Sequence, residues 1–304
     1  MPVNYLQPDV IARRTAAEQR WTTIAAHQPH LRRAVGLQRR TLGAQLDLVE
    51  ALVLGLVAAP TVPETAVLHR LADGVPVLRT DIPPLPIQQL APAMGDLARA
   101  IARESGYSAA DLVARELDAG TVDAARLLAL VYQRDQDGVR QLAIEHSLVL
   151  DMLWLVGDLV VAPVVYLQQK IALREDQPDS PVREALGRWD QGYCPACGSW
   201  PALAEFFYGE RMLRCAFCAC AWRLPAMGCT YCGERGDRFA TIVPRREQIG
   251  RRLELCRSCG GFLKTLDVED LTPFPLVAIE DLASSDLDQA ALHHGFKRIP
   301  LRPL

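Results

Sequence analysis

Four Cys-x-x-Cys pairs lie between Cys194 and Cys259, and no cysteine precedes them in the 304-residue chain. Two intervening residues let both sulfurs of a pair point at one ion, while the backbone N–H groups of the turn face the thiolates. The pairs are Cys194/Cys197, Cys215/Cys218, Cys229/Cys232 and Cys256/Cys259. Glycine follows the second cysteine in three of them, as Gly198, Gly233 and Gly260, and suits a turn that needs positive φ. Ala219 holds that position in the remaining pair. A secreted disulfide scaffold would be short and would spread its bridges through the fold. Confinement of the thiols to regular pairs points instead to metal ligation in a reducing compartment.

The spacers predict which pairs share an ion. Between Cys197 and Cys215 runs WPALAEFFYGERMLR, a strand, a turn at Tyr208-Gly209-Glu210 and a return strand. Between Cys232 and Cys256, RFATIVP leads through a polar turn to RRLEL. Each hairpin brings its second knuckle back beside its first, as in a zinc ribbon or rubredoxin. The expected metal ligands are therefore Cys194, Cys197, Cys215 and Cys218 for one site, and Cys229, Cys232, Cys256 and Cys259 for the other. Nested pairing, outer knuckles with outer and inner with inner, is the alternative. Cys220 is left over, either a small buried neighbour of the metal or a reactive thiol. All-sulfur tetrahedral sites take zinc or a rubredoxin-type iron, and the ligand set does not separate them.

The remaining sequence reads as helix up to about residue 185. Asp9 is a plausible N-cap for VIARRTAAEQRWTTIAAHQ, and Pro29 opens a long run to about Ala58. Leu37, Leu42, Leu46, Val49, Leu52, Val53 and Leu56 recur there at three- and four-residue steps. Pro60, Pro63, Pro76, Pro83, Pro84 and Pro86 make residues 60–86 an ordered connection. Helix resumes at about 87–104, 108–118, 121–133 and 139–173. The stretch Arg174 to Pro181 (REDQPDSP) is the expected linker. The expected architecture is an N-terminal all-α bundle, 1–185, followed by a tandem rubredoxin-like or zinc-ribbon metal module, 186–304. Ribbon one covers about 190–225, ribbon two about 226–270, and a terminal helix about 280–294, closed by Gly295.

Leu148 to Leu167 is almost long enough to span a bilayer. Asp151 and Asp158 share one helical face there, at roughly 2.5–3.5 kcal/mol each in a bilayer centre, so a core helix is expected, with no membrane insertion. The N-terminus MPVNYLQPDVIARR lacks an apolar signal core and reads as that of a mature cytoplasmic protein.

Lys plus Arg number 33 against 36 Asp plus Glu, which leaves no overall basic field to draw the chain to nucleic acid. The pairs Arg13/Arg14, Arg32/Arg33 and Arg39/Arg40 read as solvated helix surface. Arg245, Arg246, Arg251, Arg252 and Arg257 cluster near the second site, as compensation for thiolate charge or as a docking patch. His27, His30, His69, His146, His293 and His294 read as ordinary side chains. No catalytic grouping or phosphate-binding loop is present, so no catalytic residue and no organic cofactor are assigned.

The runs CPACGSWP, LRCAFC with Trp222-Arg223, CTYCG and LELCRSCGGFLK, then Glu280-Asp281-Leu282-Ala283-Ser284 with Leu287-Asp288, resemble the formate dehydrogenase accessory protein (FdhE) family. The match is specific from about Trp189 to Arg298; before that only helical character agrees. The resemblance implies a cytoplasmic, non-enzymatic accessory or maturation factor that binds the immature catalytic subunit of formate dehydrogenase. It also implies two metal ions per chain on the eight paired cysteines, iron favoured and zinc the alternative. Ala219 and Cys220 depart from the family's second knuckle. The competing classes are a nucleic-acid-binding zinc-ribbon protein and a rubredoxin-like electron carrier.

Overall fold

The computed structural model describes residues 9–57, 62–79, 84–243 and 250–300. The chain forms two compact units. One takes the described residues up to 57 with those from 78 to 168; the other takes 62–77 with those from 169 to 300.

The first unit is helical. Helix α1 (Val10–His27) starts at Asp9, whose carboxylate accepts from Ala12 N at 2.8 Å. After a 3-10 turn at Pro29–Leu31, α2 (Arg32–Val57) buries Leu42, Leu46, Val49, Leu52 and Val53. These are most of the predicted apolar stripe; Leu37 is half-buried, and the side chain of Leu56 lies outside the described residues. Continuing along the chain, α4 (Ile87–Ser105) ends in left-handed Gly106, and α5 (Ser108–Asp118) packs against it. Aspartate caps α6 (Ala124–Tyr132) through Asp123 and α7 (Gln136–Glu145) through Asp135.

The expected helix over 139–173 is broken in two. Ser147 turns left-handed at φ 53°, and Leu148 N bonds Ala143 O at 2.8 Å, which closes α7. Helix α8 (Leu150–Ala172) then follows, the one described helix long and apolar enough to cross a membrane. Leu153, Val156, Val160, Val161, Val164 and Val165 are buried along it. Asp158 pairs with buried Arg134, whose guanidinium lies 4.7 Å from the Trp154 ring centroid, and Asp151 occupies the helix's first turn. The arginine pairs of α1 and α2 are tied down locally: Arg14 pairs with Asp47, Arg39 with Glu18 at 3.2 Å, and Arg40 with Glu104 at 3.9 Å.

In the second unit a helix stands where prolines suggested only connection. Helix α3 (Glu64–Ala72) begins after Pro63, buries Val67 and Leu71, and packs against α9 (Pro181–Gly187). Both flanking prolines are compatible with it, because Pro63 precedes the first helical residue and Pro76 follows the last.

The cysteine-bearing chain forms one six-stranded sheet. Its strands are β1 (Pro201–Phe207), β2 (Glu210–Cys215), β3 (Ala221–Arg223), β4 (Phe239–Ile242), β5 (Arg251–Cys256) and β6 (Phe262–Asp267), in the order β3-β2-β1-β6-β5-β4. Each ribbon is antiparallel within itself, and the two are joined by parallel pairing of β1 with β6, at Ala204↔Thr265 and Glu205↔Leu266. The β1–β2 turn is Tyr208-Gly209, with φ 48° and 80°, a two-residue turn that matches strand twist.

The predicted terminal helix is two short ones, α10 (Val277–Ala283) and α11 (Ser285–His293), broken at Ser284, whose hydroxyl donates to Glu280 O at 2.7 Å. They cover one sheet face, where Leu203, Leu253, Phe262 and Leu266 meet Val277, Leu287 and Ala291. Lys264, 1% exposed, lies on that face. Its ammonium holds Asp281 at 2.7 Å and Asp288 at 2.8 Å, and Arg298 bonds both carboxylates from outside. Burial opposes charging of Asp281, but Lys264 and Arg298 prevail and hold its pKa below the ordinary carboxylate value.

Candidate metal centre

All four knuckles share one closing backbone bond, and three of them add a second. The first cysteine's N–H donates to the carbonyl five residues on: Cys194 to Ser199 at 2.9 Å, Cys215 to Cys220 at 3.0 Å, Cys229 to Glu234 at 2.8 Å and Cys256 to Gly261 at 3.0 Å. The residue after the second cysteine donates back to the first, from Gly198, Gly233 and Gly260, each at 2.9 Å. Those glycines have φ of 78°, 76° and 73°, and Ala219 takes the same left-handed turn at 54°. The second knuckle thus keeps the shape without the residue best suited to it. Amide N–H groups of Phe217 and Cys218 donate to Cys215 Sγ at 3.4 Å, and Gly261 N donates to Cys259 Sγ at 3.4 Å.

The hairpins bring the knuckles together in sequential pairs. The sulfurs of Cys194, Cys197, Cys215 and Cys218 lie within 4.8 Å of one another, and so do those of Cys229, Cys232, Cys256 and Cys259. The closest separations run from 3.4 Å (Cys197–Cys215) to 3.7 Å (Cys194–Cys218) in the first tetrad and are 3.6 Å in the second. A tetrahedron of thiolates ~2.3 Å from zinc has an edge of about 3.8 Å, whereas a disulfide would bring sulfurs to ~2.05 Å. Both tetrads fit a tetrahedral ion. The nested pairing has no counterpart.

Cys220 stands outside the first tetrad. Its carbonyl closes the knuckle, its side chain is buried, and its sulfur lies 3.8 Å from Ala221 O. His293 and His294 are exposed and belong to neither tetrad.

The two tetrads differ in access. All four cysteines of the first are buried, while Cys232 of the second is exposed and Cys259 half-buried. Burial pushes the thiols of Cys194, Cys215 and Cys218 well up. A divalent cation would let four thiolates coexist there. In the second tetrad burial also raises Cys229, whereas amides of Cys259 and Ser258 outweigh it and lower Cys256.

The two ribbons are locked together around these sites. The Trp200 and Tyr231 rings meet edge to face with centroids 5.2 Å apart, and the Tyr231 hydroxyl donates to Phe262 O at 3.2 Å. Arg211 of β2 reaches Glu254 of β5 at 2.6 Å and Thr230 of the third knuckle at 2.7 Å. A Cβ on Gly192 would stand 1.7 Å from the Thr230 carbonyl, so only glycine permits this approach. The segment after α3 braces the first knuckle, through Val77 N to Pro195 O at 2.9 Å and Tyr193 OH to Gly74 O at 2.8 Å.

Two of the arginines near the second site have other work. Arg251 pairs with Asp286 at 2.5 Å; Arg252 pairs with Asp267 at 2.5 Å and covers the Phe206 ring. They compensate carboxylates, not thiolates. Arg245 and Arg246 lie outside the described residues.

No protein-family model matches the chain. It is 37% identical over 117 residues to a protein FdhE homolog of Pseudomonas putida, a match that covers 35% of this chain and 36% of that relative. In fold it is similar to the crystal structure of the FdhE protein from Pseudomonas aeruginosa, with a TM-score of 0.56 and 21% identity over 96% of this chain and 94% of that one. Similarity of sequence thus covers about a third of the chain and about a third of that relative, and likeness of fold covers nearly all of the chain.

Proposed function

We propose that this chain is a cytoplasmic accessory factor for formate dehydrogenase, that it binds the immature catalytic subunit, and that it performs no turnover of its own. The observation that carries the reading is the pair of four-cysteine tetrads, set in one sheet whose fold is similar to that of an FdhE protein. Cys194, Cys197, Cys215 and Cys218 would hold one ion and Cys229, Cys232, Cys256 and Cys259 the other; iron is favoured by the family resemblance and zinc is the alternative. A bound ion supplies folding energy, and iron would add one-electron chemistry. The chain's own part is to fix eight sulfurs by knuckle closures, to shield the first tetrad, and to leave the second accessible.

Co-purification tests the reading: the chain expressed with the formate dehydrogenase catalytic subunit should retain it through affinity purification, and a mixture without retention contradicts it. A second reading, a rubredoxin-like electron carrier, draws on the exposure of Cys232; it predicts a reversible one-electron colour change in the iron-loaded protein.

A further inference from the structure

The cleft between α3 and α9 encloses about 680 Å³, with Asp73, Glu184, Arg188 and Asp190 in its lining. A second cleft of about 280 Å³ shares Asp190 and Gln191 with it and reaches Cys229 and Cys232. Together they make one groove that ends at the accessible tetrad. Its wide part presents three carboxylates against one cation, and that cation, Arg188, is already held by Glu184 at 2.5 Å. Asp73 and Asp190 are exposed and have no ion pair with any described residue. At the far end a tetrad filled by a divalent ion adds a charge of about −2, partly offset by Arg235. The groove is therefore electronegative along its length, with Leu68, Leu71 and Ala185 as apolar contacts.

The inner cleft, about 280 Å³ against about 680 Å³, is the smaller of the two, which favours an extended chain over a helix as its occupant. We propose that the groove docks an extended, Lys- or Arg-bearing segment of a partner polypeptide and carries it to the second tetrad. The negative lining selects the cationic side chains and speeds encounter. A second copy of this chain is the competing occupant. The proposal names the partner chemistry for the accessory role above and rests on that role only for the partner's identity.

The test uses the metal-loaded full chain and a fluorescent dodecapeptide of alternating arginine and serine, with a glutamate–serine peptide as control. Wild type should bind the arginine peptide and ignore the control. Asp73→Asn/Asp190→Asn should weaken binding by about tenfold at low salt, with metal content unchanged and a flatter salt dependence. Asp73→Asn alone should show part of that loss, and it carries the test if the double variant loses metal. No binding by wild type, equal binding of both peptides, an unchanged affinity in the variants, or self-association that the peptide cannot displace would overturn the proposal. Retention of the formate dehydrogenase catalytic subunit is measured in parallel. Peptide binding without retention contradicts the accessory reading and leaves the groove standing; undiminished retention by the double variant contradicts the groove.

Discussion

Trp200, just behind the first tetrad, meets Tyr231, inside the third knuckle, edge to face with ring centroids 5.2 Å apart. With Arg211 spanning to Glu254 and Thr230 and Gly192 pressed on the Thr230 carbonyl, this contact makes the two ribbons one body. Tandem ribbons on a flexible tether would respond separately to a change at their junction. These should not.

Gly192→Ala tests that coupling. The added methyl meets backbone that a side-chain rotation cannot clear, so a loss of about 1–3 kcal/mol of stability is expected, as for other overpacked sites. Chelator release should quicken at both tetrads, although residue 192 is a ligand in neither. Faster release at one tetrad alone would show that the ribbons are independent.

Ala219→Gly should stabilise the protein by about 1 kcal/mol, because alanine at φ 54° holds a turn that its three counterparts make with glycine. Urea unfolding of the metal-loaded protein measures this. At the neighbouring position, Cys220→Ser should keep both ions, whereas Cys218→Ser should release the ion of the first site. The reverse pattern would move Cys220 into the ligand set.

The two cysteine tetrads were largely legible in the residues, because a knuckle is local: two residues between cysteines and a positive-φ position after them define its turn. The hairpin spacers likewise predicted the sequential pairing. What escaped depends on distant partners. Parallel pairing of β1 with β6 joins Ala204 to Thr265, and no short-range pattern announces it. Helix α3 was hidden by prolines that bound it without entering it. Nothing local marks Lys264 as buried; it is so because Asp281 and Asp288 meet it from the terminal helices. The same contact gives the Asp281 and Asp288 positions of the sequence motif a structural role.

Lys264→Ala should therefore be costly. It leaves Asp281 and Asp288 with Arg298 alone, and breaking a buried charge cluster removes about 3–5 kcal/mol. Asp281 adds a pH dependence of definite sign. Its folded pKa is lowered, so its contribution is present above the unfolded value of about 4 and is lost as pH falls through the lower folded value. In wild type, chemical denaturation below about pH 4 should show this loss, and the Lys264→Ala protein should show less of it. A Lys264→Ala loss under about 1 kcal/mol would contradict the network.

The central claim is that eight cysteines hold two ions in two separate tetrads. Elemental analysis of reduced, freshly purified protein measures it most directly, beside Cys197→Ser and Cys232→Ser variants. Two metal ions per chain are predicted for wild type and one for each variant, with the buried first site the slower of the two to exchange. One ion or none in the wild-type chain, or loss of both ions from either variant with the fold intact, would contradict the account.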